Sequence, residues 1–203
     1  VRRRRARGAL GELRGTATRA LARILPAGQD APPPSVVRAE QSNTSIVYGD
    51  RCILKLFRRL EAGVNPDLEL GRHLTEHGLF ANTRRTAGAI EYHRGHEEPW
   101  SLAILQQFVP NQGDAWRFTR DALGRFFERV MTRQREGAPE QLLGRGSAAA
   151  LAAAPPEAGE FELLGTFHDP AALLGRRTAE MHRALARAGD DPAFAPEPFS
   201  QLY

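Results

Sequence analysis

The sequence predicts an α+β fold in which an antiparallel sheet carries one helix and further helices follow. Two β-rich runs flank Gly49 and Asp50, and a well-capped helix comes directly after them. Two more β-rich runs then precede long segments with helical periodicity. Strands grouped around a single helix are typical of an α+β domain.

The composition is that of an ordinary globular chain of 203 residues, with 41% hydrophobic and 26% charged residues. The single cysteine, Cys52, excludes an internal disulfide and a cysteine-based metal cluster, and it favours a reducing, cytoplasmic location. No apolar run approaches the roughly 18 to 20 residues that cross a bilayer, so no membrane partner is expected.

Arginine dominates the basic residues, since only one of the 28 is a lysine and the net charge is +4. The excess lies in Arg2 to Arg5 and in Arg7, and such an arm could contact nucleic-acid phosphates. However, no interleaved aromatic residues and no groove-reading motif support that function. A solvated terminus is the preferred interpretation, and we expect no nucleic-acid partner.

The first 34 residues form a basic leader, interpreted as the remnant of a linker to a preceding domain. A helix is predicted over Gly8 to Leu25, and the prolines at 32–34 end it. Residues 35–112 are predicted to form the sheet-bearing lobe.

A tight hairpin is predicted within SIVYGDRCILKLF, with its turn at Gly49 and Asp50. Period-two alternation on the second strand places Lys55 on the same face as Ile53 and Phe57. The opposite face of this strand carries Cys52, Leu54 and Leu56.

A helix of about three turns follows, with Asn65 as its N-cap, Pro66 in the first position and Gly78 at its end. Asp67 and Glu69 suit the positive start of this helix. Two further strands are expected near Ala89 to His93 and near Ser101 to Phe108.

Residues 113–203 are predicted to be helical, with a low-complexity insertion at 136–160 and an interrupted end. Asp114 can cap the first helix, and Asp169 can cap a later one that begins at Pro170. The apolar positions of the first helix recur at helical spacing: Trp116, Leu123, Phe127 and Val130.

Lys55 is the only lysine of the chain and lies within a strand. It could be an ordinary strand lysine whose ammonium reaches solvent. Alternatively, Glu69 could pair with it, and the polar run from Ser42 to Ser45 could cradle an anion beside it. No G-x-G-x-x-G precedes the hairpin and no Walker-type loop is present, so the residues alone leave both interpretations open.

The stretch AEQSNTSIVYGDRCILKLFRRLEAGVNPDLELGRHLTE closely resembles the nucleotide-binding lobe of maltokinases. Its pieces EQSNTS, ILKLFRR and NPDLEL are specific in combination. The resemblance runs from about Arg38 to Val109 and resumes more loosely at LGRRTAEMHRALA. It implies a protein-kinase-like small lobe followed by helices of an intermediate region.

The resemblance also implies a function for individual residues. Lys55 matches the lysine that holds the α- and β-phosphates of ATP, and Glu69 matches the helix acid that pairs with it. The phosphate-side loop of the family corresponds to Ser42, Asn43, Thr44 and Ser45. The adenine-binding hinge corresponds to the segment from Gln106 to Val109, in which Gln107 and Val109 are the assigned contacts. The expected family activity is the ATP-dependent conversion of maltose to maltose 1-phosphate.

The stretches H-G-D-x-H-x-G-Q and D-F-E-G, which carry the catalytic aspartate and the Mg²⁺ ligands in this family, do not occur in the sequence. We therefore expect the C-terminal catalytic lobe, with its Mg²⁺ site, to be absent, and this chain alone to be inactive; no catalytic or metal-binding residue is assigned. Because maltokinases often occur fused to trehalose synthase, a non-catalytic module docking on that enzyme is the alternative.

Overall fold

The computed structural model describes residues 5–37, 43–78, 80–137, 147–153, 162–187 and 191–197. These residues have the predicted α+β fold, with one antiparallel sheet and several helices. The strands are β1 Arg5–Arg7, β2 Glu12–Ala17, β3 Pro34–Val36, β4 Asn43–Tyr48, β5 Cys52–Phe57, β6 Thr86–His93 and β7 Trp100–Gln107. The helices are α1 Leu21–Ile24, α2 Pro66–His77, α3 Ala115–Arg135, α4 Ala148–Ala153 and α5 His168–Leu185, with 3₁₀ turns at Gly165–Phe167 and Pro192–Phe194.

Within the described ranges the sheet has seven strands in the order β1-β2-β6-β7-β5-β4-β3, and every neighbouring pair is antiparallel. The two central strands that matter most for the site are β5 and β7, which lie side by side. In this register Lys55 is opposite Ser45 on β4 and opposite Ile104 on β7. Residues directly opposite one another in antiparallel strands share a face of the sheet, so these three side chains lie in one row.

The predicted hairpin is confirmed. Strands β4 and β5 close through a turn in which Gly49 has a φ of 54°, a conformation that glycine adopts without strain. Tyr48 is paired with Cys52 at the start of the ladder. This register fixes the alternation of β5 and therefore the face from which Lys55 projects.

Helix α2 packs on the sheet face that carries Lys55. Both of its predicted ends are confirmed, since the side chain of Asn65 accepts a bond from the N–H of Leu68 at 3.3 Å, and Gly78 ends the helix with a φ of 63°. Leu68 is buried against Ile104 and Ala89 of the sheet. Burying one leucine side chain is worth about 1.5–3 kcal/mol, so this contact helps to hold the first turn of α2 over β5 and β7.

Short helix α1 covers part of the opposite face of the sheet. Ala20 and Ile24 are buried there against Cys52 and Ala87. Burial raises the pKa of the Cys52 thiol, with Arg51 acting in the opposite direction. Cys52 is therefore an apolar core side chain of this face.

The predicted helix over Gly8 to Leu25 is wrong. Residues Glu12–Ala17 form strand β2, which pairs with β6, and only Leu21–Ile24 is helical. The backbones approach closely here, because a Cβ at Gly88 would collide with the carbonyl oxygen of Thr16. Hydrogen bonding to an existing sheet edge outweighs the weak helical pattern of this segment.

The chain divides into two compact units, Val1–Pro110 with Glu180–Tyr203, and Asn111–Ala179. In the second unit the predicted cap of α3 is confirmed, since Asp114 accepts a bond from the N–H of Arg117 at 2.7 Å. The guanidinium of Arg129 donates to the carbonyl of Leu163 at 2.8 Å, which holds the segment after the insertion against α3. Asp169 is not a cap, because helix α5 already begins at His168.

The low-complexity insertion predicted at 136–160 lies mostly outside the described residues, but helix α4 falls within it. Among the helices that the structure describes, none combines the length and the apolar character that a bilayer span requires.

Candidate functional site

The site is built around the ammonium group of Lys55, which strand β5 directs toward helix α2. The residues opposite it, Ser45 and Ile104, are buried, whereas 25% of the Lys55 side chain is exposed. The ammonium nitrogen lies 3.6 Å from a carboxylate oxygen of Asp67 in the first turn of α2. A lysine from a strand and an acid from the helix above it therefore meet at the surface of the sheet.

The acid that contacts Lys55 is Asp67 and not Glu69, which the sequence predicted. Residues two apart on a helix point about 200° away from one another, so at most one of these two carboxylates can face β5. The N-cap at Asn65 and the burial of Leu68 set the rotation of the helix that brings Asp67 forward. Glu69 is half-buried and lies near His73, where burial lowers the pKa of the imidazole and the Glu69 carboxylate offsets part of that lowering.

The polar run beside the hairpin is divided by the alternation of strand β4. Asn43 is opposite Phe57 and Ser45 is opposite Lys55, so both belong to the face that carries Lys55. Thr44 is opposite Leu56 and belongs to the other face. Ser42 lies outside the described residues. The strand therefore brings two of the four predicted phosphate-side residues to Lys55.

The predicted hinge begins at the end of β7. The Gln106 side chain is buried on the α2 face, with its register partner Thr86, which is fully buried. The N–H of Gln107 donates to the carbonyl of Arg85 at 2.8 Å, and the N–H of Phe108 donates to that of Arg51 at 2.9 Å. These two N–H groups are thus already used, and adenine would have to bond to other backbone groups of this segment, which ends at the exposed Val109.

The Lys55–Asp67 ion pair is open to solvent, with 59% of the Asp67 side chain exposed. Exposed ion pairs contribute only about 0–1 kcal/mol to stability. Lys55 can consequently exchange this carboxylate for another anion at little cost. A stronger, buried pair would hold the ammonium in place and oppose such an exchange.

A cluster of aromatic rings at the C-terminal end of α2 was not predicted from the sequence. His73 is buried, and its ring stacks on Phe194 with centroids 3.7 Å apart. Burial lowers the pKa of His73, His77 lowers it further, and Asp191 and Glu69 raise it. The one-turn spacing of His73 and His77 was visible in the sequence, but nothing in the sequence placed the segment with Phe194 against it.

A metal site would need several oxygen or nitrogen ligands in one place. Among the described residues, no group of three or more histidine, cysteine, aspartate or glutamate side chains could hold a metal ion. Among the side chains that the structure describes, the carboxylate in contact with Lys55 is that of Asp67. These residues do not fit a Mg²⁺ site, and none is assigned to them.

No protein-family model matches the chain. Among solved structures, the chain is similar to a glucosamine kinase in its crystal form B, with 22% sequence identity and a TM-score of 0.47 over 92% of this chain and 35% of that one. It is similar to the same degree to a glucosamine kinase in complex with glucosamine, ADP and inorganic phosphate, with 22% identity and a TM-score of 0.47 over 90% of this chain and 34% of that one. The chain thus spans about a third of the length of these kinases.

Proposed function

We propose that this chain forms the nucleotide-binding part of an ATP-dependent sugar kinase, in which the Lys55 ammonium contacts the phosphates of ATP. The observation that carries the proposal is the meeting of Lys55 with Asp67 beneath helix α2. A lysine on a sheet, held by an acid from the adjacent helix, is the arrangement by which kinases present an ammonium to nucleotide phosphates. The resemblance of residues 38–109 to maltokinases gives independent support from the sequence.

The residues on the Lys55 face are chemically suited to a triphosphate. Lys55 supplies a compact positive charge, and the side-chain amide of Asn43 can donate hydrogen bonds from the adjoining strand. Bound ATP would supply the phosphoryl group. The part of this chain would be to bind and orient the nucleotide, with Asp67 steadying the Lys55 ammonium.

The finer proposal is that maltose is the acceptor and that Mg²⁺ accompanies ATP in the whole protein. Transfer needs a group that takes the proton from the sugar hydroxyl, and metal ligands, and the corresponding sequence stretches are not in this chain. We therefore expect the chain by itself to bind nucleotide without transferring phosphate to maltose.

Calorimetric titration of the chain with ATP tests the proposal. Lys55→Met keeps the length and the apolar stem of the side chain and removes its charge. We expect it to weaken ATP binding at least tenfold, because a charge-assisted contact with phosphate is lost. The unfolding temperature should change little, since the ion pair is exposed. An unchanged affinity of Lys55→Met for ATP would contradict the assignment of Lys55 to phosphate binding.

Two further variants decide which acid supports the lysine. Asp67→Asn removes the carboxylate that contacts Lys55, whereas Glu69→Gln makes the matched change two residues away on the same helix. We expect a larger change in ATP affinity from Asp67→Asn than from Glu69→Gln. The reverse order would show that Glu69, the acid implied by the maltokinase resemblance, is the partner when nucleotide is bound.

A docking module for trehalose synthase is a second candidate, favoured by the exposed apolar side chains along α3. Trp116 is 73% exposed and Phe127 is 55% exposed. Replacing both by serine should abolish co-purification with trehalose synthase if this function is correct. Saturable ATP binding that depends on Lys55, with no retention of trehalose synthase, would favour the kinase instead.

A further inference from the structure

An open cavity of about 660 Å³ lies beside helix α1, at the end of the sheet where β5 begins and β7 ends. Three arginines line it, Arg23, Arg51 and Arg85, and they come from three separate parts of the chain. Asp50 is the acidic residue in the lining. The described residues of the wall thus carry three positive charges and one negative charge, a net charge of +2.

None of the three arginines has a carboxylate partner among the described residues, where the ion pairs involve other side chains. Three arginine side chains around one cavity repel one another, and the single charge of Asp50 offsets only part of this repulsion. A bound anion would remove this repulsion.

The wall of the cavity is held by specific bonds. The guanidinium of Arg51 donates to the side-chain oxygen of Gln29 at 2.7 Å, and this bond helps to orient the guanidinium group. The carbonyls of Arg51 and Arg85 accept the N–H groups of Phe108 and Gln107. The backbones that carry these two arginines are therefore fixed to the same short segment, which pre-organises the arginines for binding.

This cavity is distinct from the site around Lys55. Gln107 is paired with Cys52, and Cys52 is buried with Ile24 of α1 on the sheet face opposite to α2. Lys55 and Asp67 lie on the α2 face. The sheet therefore separates the two positive regions, so phosphates held by Lys55 would not lie in the arginine cavity, although Gln107 of the cavity wall also belongs to the predicted hinge.

We propose that the cavity lined by Arg23, Arg51 and Arg85 binds the phosphate group of a small molecule. Phosphate is the anion whose oxygens match the arginine fork, through paired N–H···O bonds. Its charge of about −1.5 to −2 at neutral pH complements the +2 of the wall. Phe108 adds an aromatic surface, which a group esterified to the phosphate can contact.

The test is a titration of the whole chain with inorganic phosphate and with phenyl phosphate, at constant low ionic strength, followed by calorimetry and by backbone amide chemical shifts. We expect saturable binding with shifts at Arg51, Arg85 and Phe108. Tighter binding of phenyl phosphate would identify the ligand as a phosphate ester, and equal binding would identify it as free phosphate. Absence of saturable binding of both probes would overturn the proposal.

Matched variants distinguish a built site from general positive charge. The double variant Arg51→Gln with Arg85→Gln should weaken binding at least tenfold, and Gln29→Ala, which removes no charge, should weaken it several-fold by freeing Arg51. The control is Arg59→Gln with Arg94→Gln, which loses the same charge at arginines that pair with acids at 3.1 and 3.6 Å. An equal effect of the control pair would contradict the proposal.

Lys55→Met separates this proposal from the proposed kinase function. Phosphate binding should be unchanged in that variant, because Lys55 lies on the other face of the sheet. Loss of phosphate binding in Lys55→Met would mean that the probes occupy the nucleotide site. That result would overturn the proposed arginine site and leave the proposed kinase function standing. All variants are compared at equal folded fraction, measured by their thermal unfolding.

Discussion

Two helical glycines have opposite surroundings. A Cβ built on Gly71 of α2 would lie 2.5 Å from the hydroxyl oxygen of Thr86, which is fully buried, whereas a Cβ on Gly124 of α3 would meet nothing within 4 Å. Alanine is favoured over glycine in a helix by about 1 kcal/mol. We expect Gly124→Ala to stabilise the protein by about 0.5–1 kcal/mol and Gly71→Ala to destabilise it by about 1–3 kcal/mol through overpacking. Chemical denaturation measures both.

A double variant identifies the cause at Gly71. Removing the Thr86 hydroxyl with Thr86→Ala should recover most of the stability lost in Gly71→Ala, because the two changes meet at one contact. That hydroxyl has no hydrogen-bond partner among the described residues, so its removal breaks no bond there. If the free-energy changes of Gly71→Ala and Thr86→Ala simply add in the double variant, the close contact between Gly71 of α2 and Thr86 of β6 is not the cause.

At the scale of single residues, the sequence predicted the face of Lys55 but not its partner. The alternation of β5 has period two, and one correct turn at Gly49 fixes every side chain of the strand. The choice between Asp67 and Glu69 depends on the rotation of α2 about its axis. Burial of Leu68 against Ile104 sets that rotation, and these residues are 36 positions apart in the sequence.

Helix α2 also makes the protein sensitive to acid. Burial and the neighbouring His77 hold the pKa of His73 below the ordinary value of 6.5, although Asp191 and Glu69 raise it. The unfolded chain therefore binds more protons at this position as the pH falls below 6.5, and stability falls with it. We expect the free energy of unfolding to be lower near pH 5 than near pH 7, as measured by denaturant titration at each pH.

His73→Phe keeps an aromatic ring against Phe194 and removes the titrating group, and with it a buried nitrogen that lacks a partner among the described residues. This variant should flatten the pH dependence and gain about 1 kcal/mol at neutral pH. The same change at the exposed His96 should leave the dependence as it is. A slope that is unaltered in His73→Phe would mean that other groups cause the acid sensitivity.

At the scale of elements, the sequence predicted segments that carry their own local signals. The helix caps were predicted correctly at Asn65, Gly78 and Asp114, because a cap depends on residues within one turn of the helix end. Strand β2 was missed because its sequence, ELRGTA, has little β-branched or aromatic character. Its bonds come from β6, about 75 positions further along the chain. Gly88, which allows the close approach of the two backbones, was the one available signal.

At the scale of the whole molecule, the seven-stranded sheet joins parts of the chain that the sequence had separated. The predicted leader at residues 1–34 contributes β1 and β2 to the same sheet as the lobe predicted at 35–112. The arginine cavity is a product of this assembly, since α1 brings Arg23 to the ends of β5 and β7. Such contacts between residues far apart in the sequence follow from the sheet topology, which short sequence patterns do not encode.

The central claim is that the ammonium of Lys55 contacts nucleotide phosphate. An acyl phosphate of ATP tests this directly, because a nearby amine attacks its acyl carbon, forms an amide, loses a proton and releases ATP. Lys55 is the only lysine, so the α-amine of the chain is the one competing primary amine. Mass spectrometry of the tryptic peptide that ends at Arg58 should show acylated Lys55, suppressed by excess ATP but not by phosphate. Labelling confined to the α-amine, or labelling of Lys55 that ATP does not suppress, would contradict the claim.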